Sequence, residues 1–231
     1  MEGFVLAAGL GTRLRPLTDD KPKALVEIEG VTLLEIAIRR LEEAGIKHIV
    51  VNVHHFADKV VDFIGSHTWQ ARIDISDESA LLLNTGGALK HAAPLFSGSE
   101  PVLVHNVDIL SEIDFHALEQ HHLESGNLVT LCTSHRETNR MILFDGTGNL
   151  AGIYGQDDAP GLTPLPFSGV SMVSPELFPL MPPDDHPYPV FGAYLKIAKD
   201  HKIGYFMHSD YHWLDVGKPE TLELARQWRR S

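Results

Sequence analysis

An α/β fold built on a doubly wound, mixed and mostly parallel sheet is what this sequence predicts, and three features carry the expectation. Short apolar runs that fit buried strands alternate with helical patterns over the first half of the chain. The first run, Phe4 to Ala8, passes directly into a glycine-rich segment, as at the carboxyl end of a parallel strand where ligands gather. From about residue 128 the rhythm changes to strands with hairpin punctuation, which makes the sheet mixed.

Each element has its own signal. Val31 to Ala44 (VTLLEIAIRRLEEA) places apolar residues at helical spacing, with Thr32 and Glu35 in capping-box register and Gly45 as the stop. HIVVNV (His48 to Val53) reads as a strand and Phe56 to Ile64 as a short helix ended by Gly65. RIDISDE from Arg72 alternates like a strand, Gly86 to Ala93 is helical, and PVLVHNVD (Pro101 to Asp108) is a buried strand with an acid at its end. In the second half LVTLCTS, RMILFD, the turn DGTG and LAGIYG read as strands and hairpin turns. The Pro- and Asp-rich stretches Asp157 to Pro166 and Pro182 to Pro189 read as loops. No repeat or linker divides the chain, so residues 1–231 are expected to form one domain.

Composition narrows the partners. The 19 basic and 31 acidic side chains give a net charge of −12, which disfavours non-specific attraction to nucleic acid or an anionic membrane. Any bound phosphate must be held by local charge. Cys132 is the only cysteine, which excludes an intramolecular disulfide and a multi-cysteine zinc site and suits a reducing compartment. No basic region precedes the first apolar segment, and no stretch approaches the roughly 18 continuous apolar residues of a membrane span. The expectation is a soluble, cytoplasmic protein.

The segment LAAGLGTRLRP, Leu6 to Pro16, is the strongest local signal. It is not a P-loop, because Gly11 is followed by Thr12 and Arg15 stands six residues after Gly9. It is not a dinucleotide fingerprint either, because Leu14 takes the third glycine's place. What remains is a GxGTR turn whose backbone N–H groups can surround an anion while Arg13 adds a charge-assisted contact. KPKAL, Lys21 to Leu25, follows closely. Pro22 fixes its own φ and biases Lys21 toward an extended form, which can return two cations to the same strand end.

LAAGxGTRLxP followed at this distance by KPKAL closely resembles the signature of the nucleotide-sugar pyrophosphorylases, the sugar-phosphate nucleotidyltransferase family. The resemblance runs through most of the chain. LLNTGGAL (Leu82 to Leu89) is similar to the family segment that packs on nucleobase and ribose, and HNVDI (His105 to Ile109) to its strand ending in Asn-x-Asp. FSGVSMVSPELF (Phe167 to Phe178) resembles the sugar-side strand, and HWLDVGKPETL (His212 to Leu222) the late motif with a second aspartate. Within the family the chain looks most like the short bacterial N-acetylmuramate-1-phosphate uridylyltransferases of peptidoglycan recycling. Those lack the C-terminal left-handed β-helix of bifunctional relatives, and the same is expected here.

The resemblance implies a Rossmann-like nucleotidyltransferase fold with residues 1–127 mainly on the nucleotide side and 128–231 mainly on the sugar side. It implies nucleotide contacts from Leu6, Ala7, Ala8, Gly9, Gly11, Thr12, Arg13, Lys23, Asn84, Thr85, Gly86 and Gly87, and sugar contacts from Asn106, Ser168 and Gly169. Arg13, Lys23 and Asp108 are the implied catalytic residues. Joining two anions requires screening of their repulsion and an α-phosphate held for in-line attack. Mg²⁺, bound by a few carboxylates with phosphate oxygens and waters, suits that task, and Asp108 and Asp215 are the implied ligands. Lys23 then neutralises the attacking phosphate or the α-phosphate, and Arg13 the departing pyrophosphate. The expected partners are a nucleoside triphosphate and a sugar 1-phosphate.

Three positions depart from the pattern. Relatives often have Glu at Asn84 and Gly at Val107, and the uridylyltransferases carry a lysine near Val190 and Phe191, where here Lys196 comes only later. Val107 is expected to add a side chain beside the sugar. UTP with N-acetylmuramate 1-phosphate leads on the subgroup resemblance, while GTP with a heptose phosphate, or CTP with another acceptor, stays open. A non-catalytic nucleotide-sugar sensor is the rival from another class, against which the retention of both aspartates weighs. The adjacent pairs His54-His55 and His121-His122 point different ways in a helix or strand and, without HExxH, read as structural.

Overall fold

A computed structural model describes residues 1–138, 140–208 and 212–230. The first strand, β1 (Glu2–Leu6), leads through the glycine loop to a two-stranded ribbon of β2 (Glu27–Ile28) and β3 (Val31–Thr32). Thr32 then caps α1 (Leu33–Glu43): its hydroxyl accepts the Glu35 N–H at 3.1 Å, and Gly45 at φ 79° ends the helix. The helix thus starts at Leu33, as the Thr32 cap implies, while Val31 and Thr32 pair in the ribbon.

The βα rhythm continues through β4 (His48–Val53), α2 (Ala57–Gly65), β5 (Arg72–Asp77), α3 (Asn84–Ala92) and β6 (Val102–Asn106). A short β7 (Ile109–Ser111) precedes α4 (Phe115–Ser125), whose Asp114 cap accepts the His116 and Ala117 N–H groups at 3.0 Å. Then follow β8 (Val129–Thr133), the hairpin of β9 (Met141–Phe144) and β10 (Leu150–Ile153), and the eleven-residue β11 (Thr163–Val173). The chain closes with α5 (Val190–Ile197), β12 (Ile203–Met207), β13 (Trp213–Asp215) and α6 (Pro219–Arg230).

Strands β6, β1, β4 and β5 pair in parallel, and β11 enters antiparallel to β6, with β9 and β8 on its other side. The sheet is mixed, mostly parallel in its first half, with helices on both faces. Alternate residues of its central strands feed two cores: Val5 and Val51 face α1, whereas Phe4 and Val50 face α3. Burial on both faces is why these strands read as continuous apolar runs rather than alternating ones. One expectation fails here. Thr163 to Pro166, read as loop, is the start of β11 and pairs with β9 through Pro164 and Pro166. Proline carries no N–H, so its presence argued for a loop, yet its carbonyl and fixed φ remain compatible with a strand.

Among the buried histidines of this framework, His105 and His122 carry the largest pKa shifts. His105 on β6 is 1% exposed, and His122 on α4 is 2% exposed between the hydroxyls of Thr130 and Ser174, both at 2.9 Å. Burial lowers each imidazole to about 4. A base with a depressed folded pKa contributes stability that is complete above the unfolded value near 6.5 and is lost as pH falls toward 4. Each group therefore accounts for a loss on the order of 3 kcal/mol across that window. Melts from pH 7 to pH 4.5 should show a falling Tm, and His122→Gln should flatten the slope relative to the wild type. Parallel slopes would contradict the assignment for His122.

Candidate functional site

The site lies at the carboxyl ends of the parallel strands, in two cavities that meet at Asn106. The first, of about 500 Å³, is lined by Leu6, Ala8, Gly9 and Lys23 from the β1 end, by Asn84 and Thr85 from α3, and by Val107 and Asp108 from the turn after β6. The second, of about 760 Å³, is lined by Arg13, Gly169, Phe167, Phe191, Trp213 and Asp215, together with Arg136, Arg140 and Lys218. Asn106 lines both.

The glycine loop is built from its anchors. Leu14 is fully buried and Thr18 nearly so, and the Thr18 hydroxyl donates to the Gly11 carbonyl at 2.9 Å. Gly11 has φ 64°, and a Cβ there would lie 2.9 Å from Lys23 Cβ. Only glycine lets the loop close over the lysine in this way. Pro22 lies extended and Lys23 opens a 3₁₀ turn, so that its ammonium, 9% exposed as a residue, reaches Asp108 and donates to Oδ2. Ala7 and Ala8 direct their N–H groups inward, both to Asn52 Oδ1. Thr12 begins the short 3₁₀ turn that carries Arg13 toward the second cavity.

The two aspartates converge. Strand β13 pairs antiparallel with β7, so that Asp215 faces Ile109, and the Val216 N–H donates to the Asp108 carbonyl at 2.9 Å. A Cβ on Gly217 would lie 2.7 Å from Asp215 Oδ1, 2.7 Å from Arg13 Nη2 and 3.2 Å from Asp108 Oδ2. Two carboxylates and a guanidinium therefore surround one point. Their oxygens form a hard donor set that fits a divalent cation needing further oxygens from phosphate and water. Among the described residues no group of three or more His, Cys, Asp or Glu side chains is arranged to hold a metal.

The Thr-Gly-Gly segment opens α3. Asn84 sits at φ 60°, and the Thr85 hydroxyl accepts the Val190 N–H at 3.1 Å. Gly86 and Gly87 are buried, and a Cβ on Gly86 would come within 2.4 Å of the Tyr188 ring, so close packing on the segment before α5 accounts for that glycine. Ser168 is fully buried: its hydroxyl accepts from Arg136 at 3.1 Å and pairs with His208 Nε2 at 2.6 Å. It therefore acts on the second cavity through Arg136 rather than by lining it. Gly169, which does line the cavity, lies against Ile109 and Asn106.

Of the departures from the pattern, Val107 packs into the core and lines the first cavity, whereas Gly169 of the implied sugar contacts lines the second. Val190 is half-buried against the core at the start of α5, Phe191 lines the second cavity, and Lys196 is exposed outside it. Sequence reasoning missed Arg136. Its guanidinium lies 4.0 Å over the Trp213 ring and donates to Ser134, Ser168 and the Phe167 carbonyl. Burial pushes it below its ordinary pKa, and Asp215 acts in the opposite direction. The two arginines in HRETNR, directly after a strand, were a visible signal, but no motif extends over them. The histidine pairs make protein contacts: His54 with the Glu78 carbonyl, His55 with Phe56, His121 with Phe206 and His122 as described.

Known proteins resemble this chain in sequence and in fold. The chain is 34% identical to the N-acetylmuramate alpha-1-phosphate uridylyltransferase of Caulobacter vibrioides, over 98% of this chain and 95% of that one. It is 30% identical to the enzyme of the same name from Neisseria meningitidis serogroup B, over 99% and 100%. The crystal structure of HddC from Yersinia pseudotuberculosis complexed with GMP-PN superposes with a TM-score of 0.78, at 23% identity and 99% coverage of both chains. The sequence pattern described as nucleotidyl transferase matches residues 2–142, which hold the glycine loop, Lys23, the Thr-Gly-Gly segment and Asp108. With the match covering most of the chain, and with near full-length relatives at 30% identity or more, this protein belongs to the nucleotidyl transferase family.

Proposed function

We propose that this protein transfers a uridylyl group from UTP to N-acetylmuramate 1-phosphate, giving a nucleotide sugar and pyrophosphate. The observation that carries the reading is the meeting of two cavities at Asn106, with Lys23 and Asp108 on one side and Arg13 and Asp215 on the other. A nucleoside in the first cavity and a sugar in the second would bring the triphosphate and the sugar phosphate together at that point, with Arg13 and Asp215 beside the phosphates. The choice of uracil and muramate is supported by the two uridylyltransferase relatives that match nearly end to end. In this reading the reaction takes place in the cytoplasm, and among the described residues no helix is long and apolar enough to cross a membrane.

In this mechanism an oxygen of the sugar phosphate attacks the α-phosphorus, a new P–O bond forms in line with the one that breaks, and the pair of electrons leaves with pyrophosphate. No side-chain nucleophile is required. Lys23 neutralises the phosphates that approach one another, and Arg13 the charge that develops on the leaving group. The glycine loop supplies N–H groups at Gly9 and Gly11, and Asn84 and Thr85, backed by the buried Gly86 and Gly87 in the first turn of α3, form the wall for ribose and base. Asn106 and Gly169 shape the sugar side, with Arg136 braced on Ser168. Asp108 and Asp215 would hold a divalent cation, Mg²⁺ in this reading, which when bound supplies further neutralisation of the phosphate oxygens.

The test is to offer each nucleoside triphosphate with Mg²⁺ against a panel of sugar 1-phosphates and to measure pyrophosphate release. UTP with N-acetylmuramate 1-phosphate should give the highest kcat/KM, because a missing buried hydrogen bond costs orders of magnitude in that ratio. Preference for GTP would overturn the base assignment and leave the reaction class standing. No release from any pair would favour a nucleotide-sugar sensor.

A further inference from the structure

The two walls of the first cavity are joined by a pair of buried side chains that no motif covers. Asn52 on β4 and Glu78 just after β5 are each 2% exposed. Asn52 Oδ1 accepts the Ala7 N–H at 2.6 Å and the Ala8 N–H at 3.2 Å, and its Nδ2 donates to Glu78 Oε1 at 2.7 Å. Glu78 Oε2 in turn accepts the Leu83 N–H at 3.0 Å. A continuous chain of hydrogen bonds thus runs from the end of β1, through the pair, to the residue before Asn84. Its polarity is forced: three backbone N–H groups can only donate, so the amide oxygen must face β1 and both carboxylate oxygens must accept.

Stability gives little reason for this arrangement. A carboxyl group is costly to bury, and among the described residues Glu78 has no lysine or arginine partner. Burial raises its pKa, with the bonds from Asn52 and Leu83 acting the other way. What the pair does secure is distance. Ala8 on one wall and Asn84 and Thr85 on the other both line the cavity, and Asn52 and Glu78 line its floor between them.

We propose that Asn52 and Glu78 are positioning residues for nucleotidyl transfer, fixing the spacing between the phosphate-binding end of β1 and the base and ribose wall at Leu83 to Thr85. This rests on the cavity being the nucleotide site. The pair sets how far the α-phosphate lies from the wall that grips the nucleoside, so its disturbance should alter turnover and nucleotide KM together.

The experiment exchanges the amide and the carboxylate of the pair, with pyrophosphate release measured from pH 6 to 9 on the intact protein. In Asn52→Asp two carboxylates meet at the central bond, and the chain can form only while one of them holds a proton. The kcat/KM for nucleotide should fall about 10- to 100-fold relative to wild type at pH 8, and the deficit should shrink as pH falls. In Asn52→Asp combined with Glu78→Gln every bond is restored, because the new carboxylate accepts from Ala7, Ala8 and the new amide, whose oxygen accepts from Leu83. That variant should recover to within about threefold of wild type and show its pH profile.

The other ionisable groups facing the pair are His54, His91, Lys23 and Asp108, which are common to all variants and cancel in the ratio to wild type. Wild-type kcat and KM in Asn52→Asp at every pH would overturn the proposal. So would a folded double variant that stays impaired, or losses that follow unfolding in melts at the same pH. A wild type that binds no nucleoside triphosphate in calorimetry would remove the nucleotide site itself and the proposal with it.

Discussion

Asp108→Asn and Asp215→Asn should each lower turnover by about 10³-fold at saturating nucleotide while leaving the fold intact. The substitutions are isosteric and remove charge only. The Asp108 carbonyl would still accept the Val216 N–H, and a side-chain oxygen at position 215 would still accept the Gly217 N–H, held now at 2.8 Å. What is lost is one of the two negative charges that surround the point shared with Arg13. Pyrophosphate release and a thermal melt separate the two effects. Asp108→Asn also deprives the Lys23 ammonium of its partner, so a stability loss of about 1–3 kcal/mol belongs with it and not with Asp215→Asn. Near-normal turnover in both variants would show that these carboxylates do not hold the cation.

Gly11→Val is the second large effect, and here the cause is steric. With φ at 64°, any side chain at this position is strained by roughly 1–2 kcal/mol, and a branched one more. Its Cβ would also press on Lys23 Cβ at 2.9 Å and on Thr18 Cγ2 at 3.0 Å. The side chain that must yield is the one that reaches Asp108, so nucleotide affinity should fall at least about tenfold in calorimetry, with turnover falling further. Gly9→Ala is the informative contrast. Apart from its chain neighbours, a Cβ on Gly9 meets no protein atom within 4 Å, so a loss of affinity there would report contact with the ligand itself. Unchanged affinity in Gly11→Val would mean that the loop does not bear on the nucleotide.

Much of the local architecture was legible in advance, for reasons that particular residues make clear. His48 to Val53 was read with its observed bounds because a strand buried on both faces is a continuous apolar run. The stop at Gly45 and the Thr32 cap followed from backbone chemistry that acts within a few residues. The loop from Gly9 to Arg13 was legible for the same reason, as its turn and its cation are contiguous. The reading of Thr163 to Pro166 as loop failed because β11 obtains its partners from β9, far away in sequence, and two prolines outweighed a pairing that no local pattern records.

The sequence by itself determined the βα order, the two-sided burial of the central strands, the glycine loop with its arginine and lysine, and the family resemblance those residues carry. Only the tertiary structure decided how Asp215 meets Asp108, through the pairing of β13 with β7 and a glycine that leaves the space between them open. It also decided that Arg136 is braced on Ser168 and stacked on Trp213, and that Asn52 and Glu78 tie the two walls of the first cavity. The difference is physical. Periodicity, caps and turns are governed by interactions between neighbours along the chain and so leave a mark in sequence, whereas a contact across strands depends on sheet order and register, which the residues at its two ends do not encode.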